Sequence, residues 1–77
     1  MNFATPLSDL FCIRAKTLGG YIWLMRASEP FADESGNMSR ALSMSNEAEA
    51  AGYWPRSEAL VLLEEVQRHW PTAELVP

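Results

Sequence analysis

Leu10-Phe11-Cys12-Ile13-Arg14-Ala15-Lys16-Thr17-Leu18-Gly19-Gly20-Tyr21-Ile22-Trp23-Leu24-Met25-Arg26-Ala27 is the stretch on which the fold turns. Two runs of strand-compatible residues flank Gly19-Gly20, and glycine accepts the positive φ that a tight turn needs, so residues 10–27 read as a β-hairpin. With Gly19-Gly20 as the loop, Leu18 faces Tyr21, Lys16 faces Trp23 and Arg14 faces Met25 on one side of the sheet. Phe11, Ile13, Ala15, Ile22 and Leu24 take the other side. A slip of one residue would exchange the two faces, so the division depends on the turn.

The second anchor is Arg56 to Trp70. At 100° per residue, Ala59, Leu62, Leu63, Val66 and Trp70 fall within an arc about 100° wide, the apolar stripe of an amphipathic helix. Glu64, Glu65 and Arg68 lie away from that arc, and Val61 lies opposite it. Pro55 suits a helix start, where its missing N–H is not needed. Glu58 in the first turn and Arg68 in the last complement the macrodipole. Pro71 stops the helix, and residues 72–76 are predicted as a short edge strand.

Between and before these anchors the signals are weaker. Residues 28–37 are polar, with Pro30 and Gly36, and read as a surface loop. Residues 38–45 alternate, with Met38, Arg40, Leu42 and Met44 on one side and Ser39, Ala41, Ser43 and Ser45 on the other, which predicts a third strand. Asn46 to Ala51 reads as one helical turn with Asn46 as its N-cap and Glu49 three residues on, ended by Gly52. Residues 1–9 read as an irregular lead-in, because Pro6 prevents regular pairing, with Phe3 and Leu7 packing onto the core. The expected architecture is a single α+β domain over residues 1–77: an antiparallel sheet of three to four strands against one main helix. Its predicted core holds Phe11, Ile13, Ile22, Leu24, Leu42, Trp54, Leu62, Leu63, Val66 and Trp70.

Composition bounds the function. The chain has 77 residues, 48% of them hydrophobic, and three Trp. A chain of this length buries roughly 60% of its unfolded surface and has no room for a second domain. Six basic against ten acidic residues give a net charge of -4, which argues against general binding to a nucleic-acid backbone. One cysteine, Cys12, excludes an intramolecular disulfide, and the expected compartment is the cytoplasm. With His69 the only histidine, a single chain cannot build a zinc site of the usual Cys/His type, and no metal or cofactor is expected. The N-terminus lacks the pattern of a signal peptide, and no stretch approaches the roughly 20 apolar residues of a membrane span.

No catalytic constellation stands out. Glu64 and Glu65 are neighbours about 100° apart on a helix and read as solvated face, not as a paired-carboxylate site. His69 near a helix C-terminus reads as a surface or capping residue, since no nucleophile lies nearby. Cys12 shares parity with Arg14 and Lys16, cations able to lower its pKa, but with no His in its sequence context it reads as a plain strand cysteine. Gly19-Gly20 sits in a hairpin and not before a helix, so it is not a phosphate loop. Asn37-Met38-Ser39 matches a glycosylation acceptor and, without a secretory signal, is read as chance.

Binding is better supported. Tyr21-Ile22-Trp23-Leu24-Met25 is apolar on both faces, and one helix covers one face of a small sheet. Tyr21, Trp23 and Met25 are therefore covered by the chain itself or a second copy, or form an aromatic patch beside Arg14 and Lys16, a composition enriched at interfaces. Charge is uneven: residues 1–27 carry +2 (Arg14, Lys16 and Arg26 against Asp9), and residues 28–55 carry -4 (Glu29, Asp33, Glu34, Glu47 and Glu49 against Arg40). Residues 56–77 carry -2 (Glu58, Glu64, Glu65 and Glu74 against Arg56 and Arg68). The acidic middle suits a basic groove on a partner, or is simply a solvated loop and turn.

The span Ala51-Gly52-Tyr53-Trp54-Pro55-Arg56-Ser57-Glu58-Ala59 resembles a pattern frequent in small phage and prophage proteins, many anti-CRISPRs among them. In these an alanine and an aromatic precede a helix whose first turn carries Glu and then Ala, often after a hairpin with a glycine turn. Pro55 departs from the pattern by standing where a polar cap is usual. The resemblance implies a non-catalytic, stoichiometric inhibitor in the bacterial host cytoplasm. It would bind a host CRISPR surveillance complex, a type I Cascade above all, and block target-DNA binding or nuclease recruitment by occlusion. It would touch neither nucleic acid nor membrane directly. The candidate contacts are the hairpin face (Arg14, Lys16, Tyr21, Trp23) or the acidic middle (Asp33, Glu34, Glu47, Glu49). The alternative is a small homodimeric regulatory or accessory protein unrelated to CRISPR; monomer and homodimer both remain open.

Overall fold

In the computed structural model, which describes residues 9–77, β1 (Leu10–Thr17) and β2 (Gly20–Ala27) form the expected antiparallel hairpin. The turn lies one residue earlier than predicted. Leu18 and Gly19 are its central residues, Thr17 pairs with Gly20, Lys16 with Tyr21 and Arg14 with Trp23. The one positive φ in the turn region falls on Gly20, at 118°, and Thr17 Oγ1 donates to the Gly20 carbonyl at 2.7 Å. Pairing has therefore moved by two residues, which preserves the side-chain parity, so the two faces are composed as the alternation implies.

Arg14 pairs with Trp23 on one edge of β1 and with Glu74 on the other, where β7 (Glu74–Val76) runs antiparallel along Cys12 to Arg14. Just before β7 the Thr72 hydroxyl takes the place of a strand backbone. It accepts from the Lys16 N–H at 3.0 Å and donates to the Lys16 carbonyl at 2.9 Å. At the N-terminal end of β1, Leu10 and Phe11 pair with β6 (Trp54–Pro55). Gly52 N–H donates to the Leu24 carbonyl at 2.9 Å, so this segment bridges the ends of β1 and β2. On its far side β2 pairs with β5 (Leu42–Ser45). Leu24 pairs with Met44 and Arg26 with Ser43, which leaves Met25 as the extra residue of a bulge. The bulge reverses parity: Ile22 and Leu24 point to the core, and beyond Met25 it is Ala27 that does.

The predicted third strand over 38–45 is broken. Leu42 and Met44 reach the core as their parity requires, but Met38 is 58% exposed in a separate ribbon. That ribbon pairs β3 (Phe31–Ala32) with β4 (Met38–Ser39), inside and beyond what the sequence marks as loop. The break is made by contacts from far along the chain. Ser28 N–H donates to the Ala41 carbonyl at 2.9 Å, and Ala41 N–H donates to Ser28 Oγ at 2.8 Å. Arg40 N–H donates to Glu65 Oε1 at 2.9 Å, so it is lost to the ladder. The expected turn at Asn46 is a 3-10 turn over Ala48–Ala50, with Glu47 at the cap position and no side-chain cap bond, so Asn46 is not the N-cap.

Helix α1 (Arg56–His69) packs on one face of the sheet, burying Ala59, Leu62, Glu65 and Val66. Pro55 is the residue before the first helical one, with ψ at 153°, and not the first itself. At the other end Trp70 N–H donates to the Val66 carbonyl, and Trp70 is the C-cap, one residue past the helix. Ile13, Ala15, Leu24, Leu62, Val66 and Ala73 form the buried centre, with Ile22, Ala27, Leu42, Met44, Trp54, Leu63, Trp70 and Leu75 packed around it. Fully burying one Val, Leu or Ile is worth about 1.5–3 kcal/mol, and Ile13, Leu24 and Val66 are all without accessible surface. Phe11 is only half-buried and lies outside this cluster, because it sits where β1 has left β2 for β6. The described residues are thus α+β, an antiparallel five-stranded sheet with one main helix and a small ribbon beside it. The lead-in expected at residues 1–9, with Phe3 and Leu7 on the core, lies outside the described residues except for Asp9.

Candidate partner-binding surfaces

Alternation in β1 and β2 brings Arg14, Lys16, Tyr21 and Trp23 to the sheet face that α1 does not cover. The register sets Arg14 opposite Trp23 and Lys16 opposite Tyr21. The Arg14 guanidinium carbon lies 4.2 Å from the centroid of the Tyr21 ring and 5.6 Å from that of Trp23. The two rings are 6.5 Å apart and tilted by 48°. At an exposed site a cation over an aromatic face contributes about 0.5–1 kcal/mol. Glu74 Oε2 accepts from Arg14 Nε at 2.8 Å, and this hydrogen bond raises the guanidinium pKa further above its ordinary value. Tyr21 stays 38% exposed. Trp23, an aromatic without obvious cover from sequence alone, is half-buried between Arg14, Tyr21 and the paired Ser45.

Glu74 and Thr72 belong to this face and are invisible in its sequence neighbourhood. They arrive from 60 and 56 residues away, through the pairing of β7 with β1. For Glu74 the signal is an opposite-charge pair with Arg14 at registered positions of two strands, readable once the β1–β7 pairing is known.

The acidic candidates sit on two separate elements. Asp33 and Glu34 occupy the turn of the ribbon, and Asp33 Oδ1 is used structurally, accepting from Ser35 N–H and Asn37 N–H at 2.9 Å each. Glu47 and Glu49 flank and occupy the 3-10 turn. Among the described residues no hydrogen bond or ion pair links the two pairs.

Cys12 shares the outer face but is only 4% exposed, and its thiol lies 3.6 Å from the Val76 carbonyl oxygen. Burial pushes the thiol pKa up and outweighs the lowering by its own backbone hydrogen bond and by Arg14, so the activation that its parity suggested does not occur. We expect a disulfide reagent to label native Cys12 at least about 100-fold more slowly than the urea-unfolded chain, since an opening costing about 2.7 kcal/mol leaves about one molecule in 100 reactive. Equal rates in stopped-flow labelling would put the thiol at the surface.

Of the helix carboxylates, Glu64 is solvated as expected and Glu65 is not. Glu65 is 8% exposed, accepts the Arg40 N–H through Oε1 and is paired through Oε2 with Arg68 at 2.9 Å. Nothing in the helix sequence marks it, because its partner is a backbone group 25 residues away. His69 is exposed, with its ring 5.8 Å from that of Trp70. Among the described residues no group of three His, Cys, Asp or Glu side chains is placed to hold a metal ion, and no helix is long and apolar enough to cross a membrane. Comparison with protein-family models, curated proteins and solved structures finds no match.

Proposed function

We propose that this chain is a non-catalytic binding protein that engages its partner through the outer face of the β1–β2 hairpin. The observation that carries this reading is the Arg14–Tyr21–Trp23 stack beside Lys16, on a sheet face that the helix leaves uncovered. A rigid aromatic pair with a held cation loses little conformational freedom on binding, and Tyr, Trp and Arg are the residue types that dominate interface energetics. The face fits an acidic or carbonyl-rich partner surface, since Lys16 lies exposed on it with no carboxylate paired to it among the described residues.

In the particular form that the resemblance to small phage proteins implies, the partner is a CRISPR surveillance complex of the type I Cascade class, inhibited by occlusion in the bacterial cytoplasm. The test is affinity capture from lysates bearing different CRISPR systems, with the wild-type chain and a Lys16→Glu/Tyr21→Ala variant as baits. A captured Cas subunit whose affinity falls by roughly 10- to 100-fold in the variant supports the reading, the size expected when a central aromatic contact is lost. Recovery of no Cas subunit from any system removes the CRISPR form. Capture indifferent to the variant removes the hairpin face. Light scattering on the same proteins separates the homodimer alternative, in which the variant would turn a dimer into monomers.

A further inference from the structure

The strands of the five-stranded sheet carry three cations, Arg14, Lys16 and Arg26, and a single carboxylate, Glu74. Every other described carboxylate lies in a connection or on α1. Glu74 is taken by Arg14, which leaves Lys16 and Arg26, both exposed and neither in an ion pair among the described residues. Arg26 owes its place to the bulge. Plain alternation from Ile22 and Leu24 would turn it to the core, but the extra residue Met25 sets it opposite Ser43, whose neighbours Leu42 and Met44 take the core side. Arg26 therefore shares the outer face with Tyr21 and Trp23. With Ala27, Ser28, Ala41 and Ser43 it lines a hollow of about 250 Å³. The positions of β5 that share this face are Ser43 and Ser45, so no acid of the sheet stands between Trp23 and Arg26.

We infer, resting on the hairpin face as the binding surface, that its occupant is an extended acidic segment of a partner protein, held by one carboxylate at Lys16 and a second in the Arg26–Ser43 hollow. An apolar side chain of the segment lies between them on Tyr21 and Trp23. The register sets the spacing. Lys16 stands opposite Tyr21, Trp23 is two residues further along β2 and faces Ser45, and Ser43, two residues further along β5, faces Arg26. At about 3.3 Å per residue the two cations are thus about 13 Å apart along the strands. Side chains on one side of an extended segment recur about every 7 Å, so the segment reads acid, apolar, acid at alternate positions. Charge complementarity at both ends fixes its register and rejects a basic segment. The net charge of -4 on the whole chain disfavours a nucleic-acid polyanion but tolerates two carboxylates placed on the cations.

The test is an NMR titration of the isotope-labelled chain with a synthetic peptide, Glu-Ser-Phe-Ser-Glu between Gly-Ser flanks, with its Lys-for-Glu counterpart and with a single-stranded oligothymidylate. The expected result is movement of the Lys16, Tyr21, Trp23, Arg26 and Ser43 amide signals with the acidic peptide alone, weakened by added salt. Arg26→Gln and Lys16→Gln should each weaken binding by about two- to fivefold, the effect of losing an exposed ion pair, while Arg56→Gln on α1 leaves it unchanged. Arg26 is exposed, so the variant's spectrum away from the hollow should match the wild type; if it does not, Ser43→Glu, which sets a carboxylate in the hollow, carries the same expectation. Equal binding of the Lys peptide, binding of the oligonucleotide at the same signals, no response at millimolar acidic peptide, or an affinity unchanged by the variants of the hollow would each overturn the proposal. None of these outcomes decides the capture experiment with Lys16→Glu/Tyr21→Ala, which tests the face itself, so the acidic segment can fail while the hairpin face stands.

Discussion

Gly52→Ala is expected to lower stability by about 1–3 kcal/mol, the cost of forcing a methyl group into a packed site. A methyl group at this position would stand 2.6 Å from the Met25 carbonyl oxygen and 2.6 Å from Trp54 Cη2. Neither neighbour is free to yield. The carbonyl belongs to the bulge of β2, and Trp54 packs against the buried centre while its backbone pairs with Phe11. The Gly52 N–H is itself bonded to Leu24, so the segment cannot back away without losing that bond. The glycine is thus required for close approach of two backbones and not for an unusual φ. In urea denaturation the midpoint should fall by roughly 1 M with unchanged slope, taking mid-range values of about 2 kcal/mol for the cost and about 2 kcal/mol/M for the slope. A change within about 0.5 kcal/mol, the usual range at unconstrained surface positions, would mean that residues 51–54 do not pack on β2 as described.

Glu65→Ala is the other change with a large expected cost, again about 1–3 kcal/mol, because it leaves a donor with no acceptor in a half-buried position. The Arg40 N–H loses Oε1, and Arg68 loses its ion-pair partner. The Arg68 part is small, since that side chain is 64% exposed and exposed pairs contribute about 0–1 kcal/mol. Glu65→Gln separates the two parts, because an amide oxygen still accepts the Arg40 N–H and only the charge is lost. We expect Gln to retain most of the stability and Ala to lose it, with faster hydrogen exchange at Arg40. Equal effects of Gln and Ala would show that the charge, not the accepted N–H, is what matters there.

These two positions also mark where reading the sequence stops. The composition of the hairpin faces was legible because side chains alternate with a period of two, and an even shift in pairing leaves the faces unchanged. Leu62, Val66 and the exposure of Val61 were legible for the same kind of reason, with the period of a helix. The break at Arg40-Ala41 was not, since its cause lies in Ser28 and Glu65, and alternation through residues 38–45 is uninterrupted. Gly52 reads locally as the end of a helical turn, and only the approach of Met25 gives it another role. On the candidate hairpin surface, Arg14, Lys16, Tyr21 and Trp23 follow from β1 and β2 alone. Glu74 and Thr72 require knowing that the last strand returns to β1. The ribbon itself is concealed by the polar composition of residues 28–37.

The Ser28–Ala41 clasp has a consequence for how this chain can change. Its two ends meet through a backbone hydrogen bond of 2.9 Å, so the sheet is already closed at the point where residues 29–40 depart. The ribbon is therefore an exchangeable cassette: β2 and β5 keep their pairing whatever length or sequence it has, provided Ser28 and Ala41 still meet and Glu65 still finds a donor. Drift in the ribbon changes exposed surface at small cost to folding, whereas the same drift in the hairpin would strike the core that Ile13, Ala15 and Leu24 build.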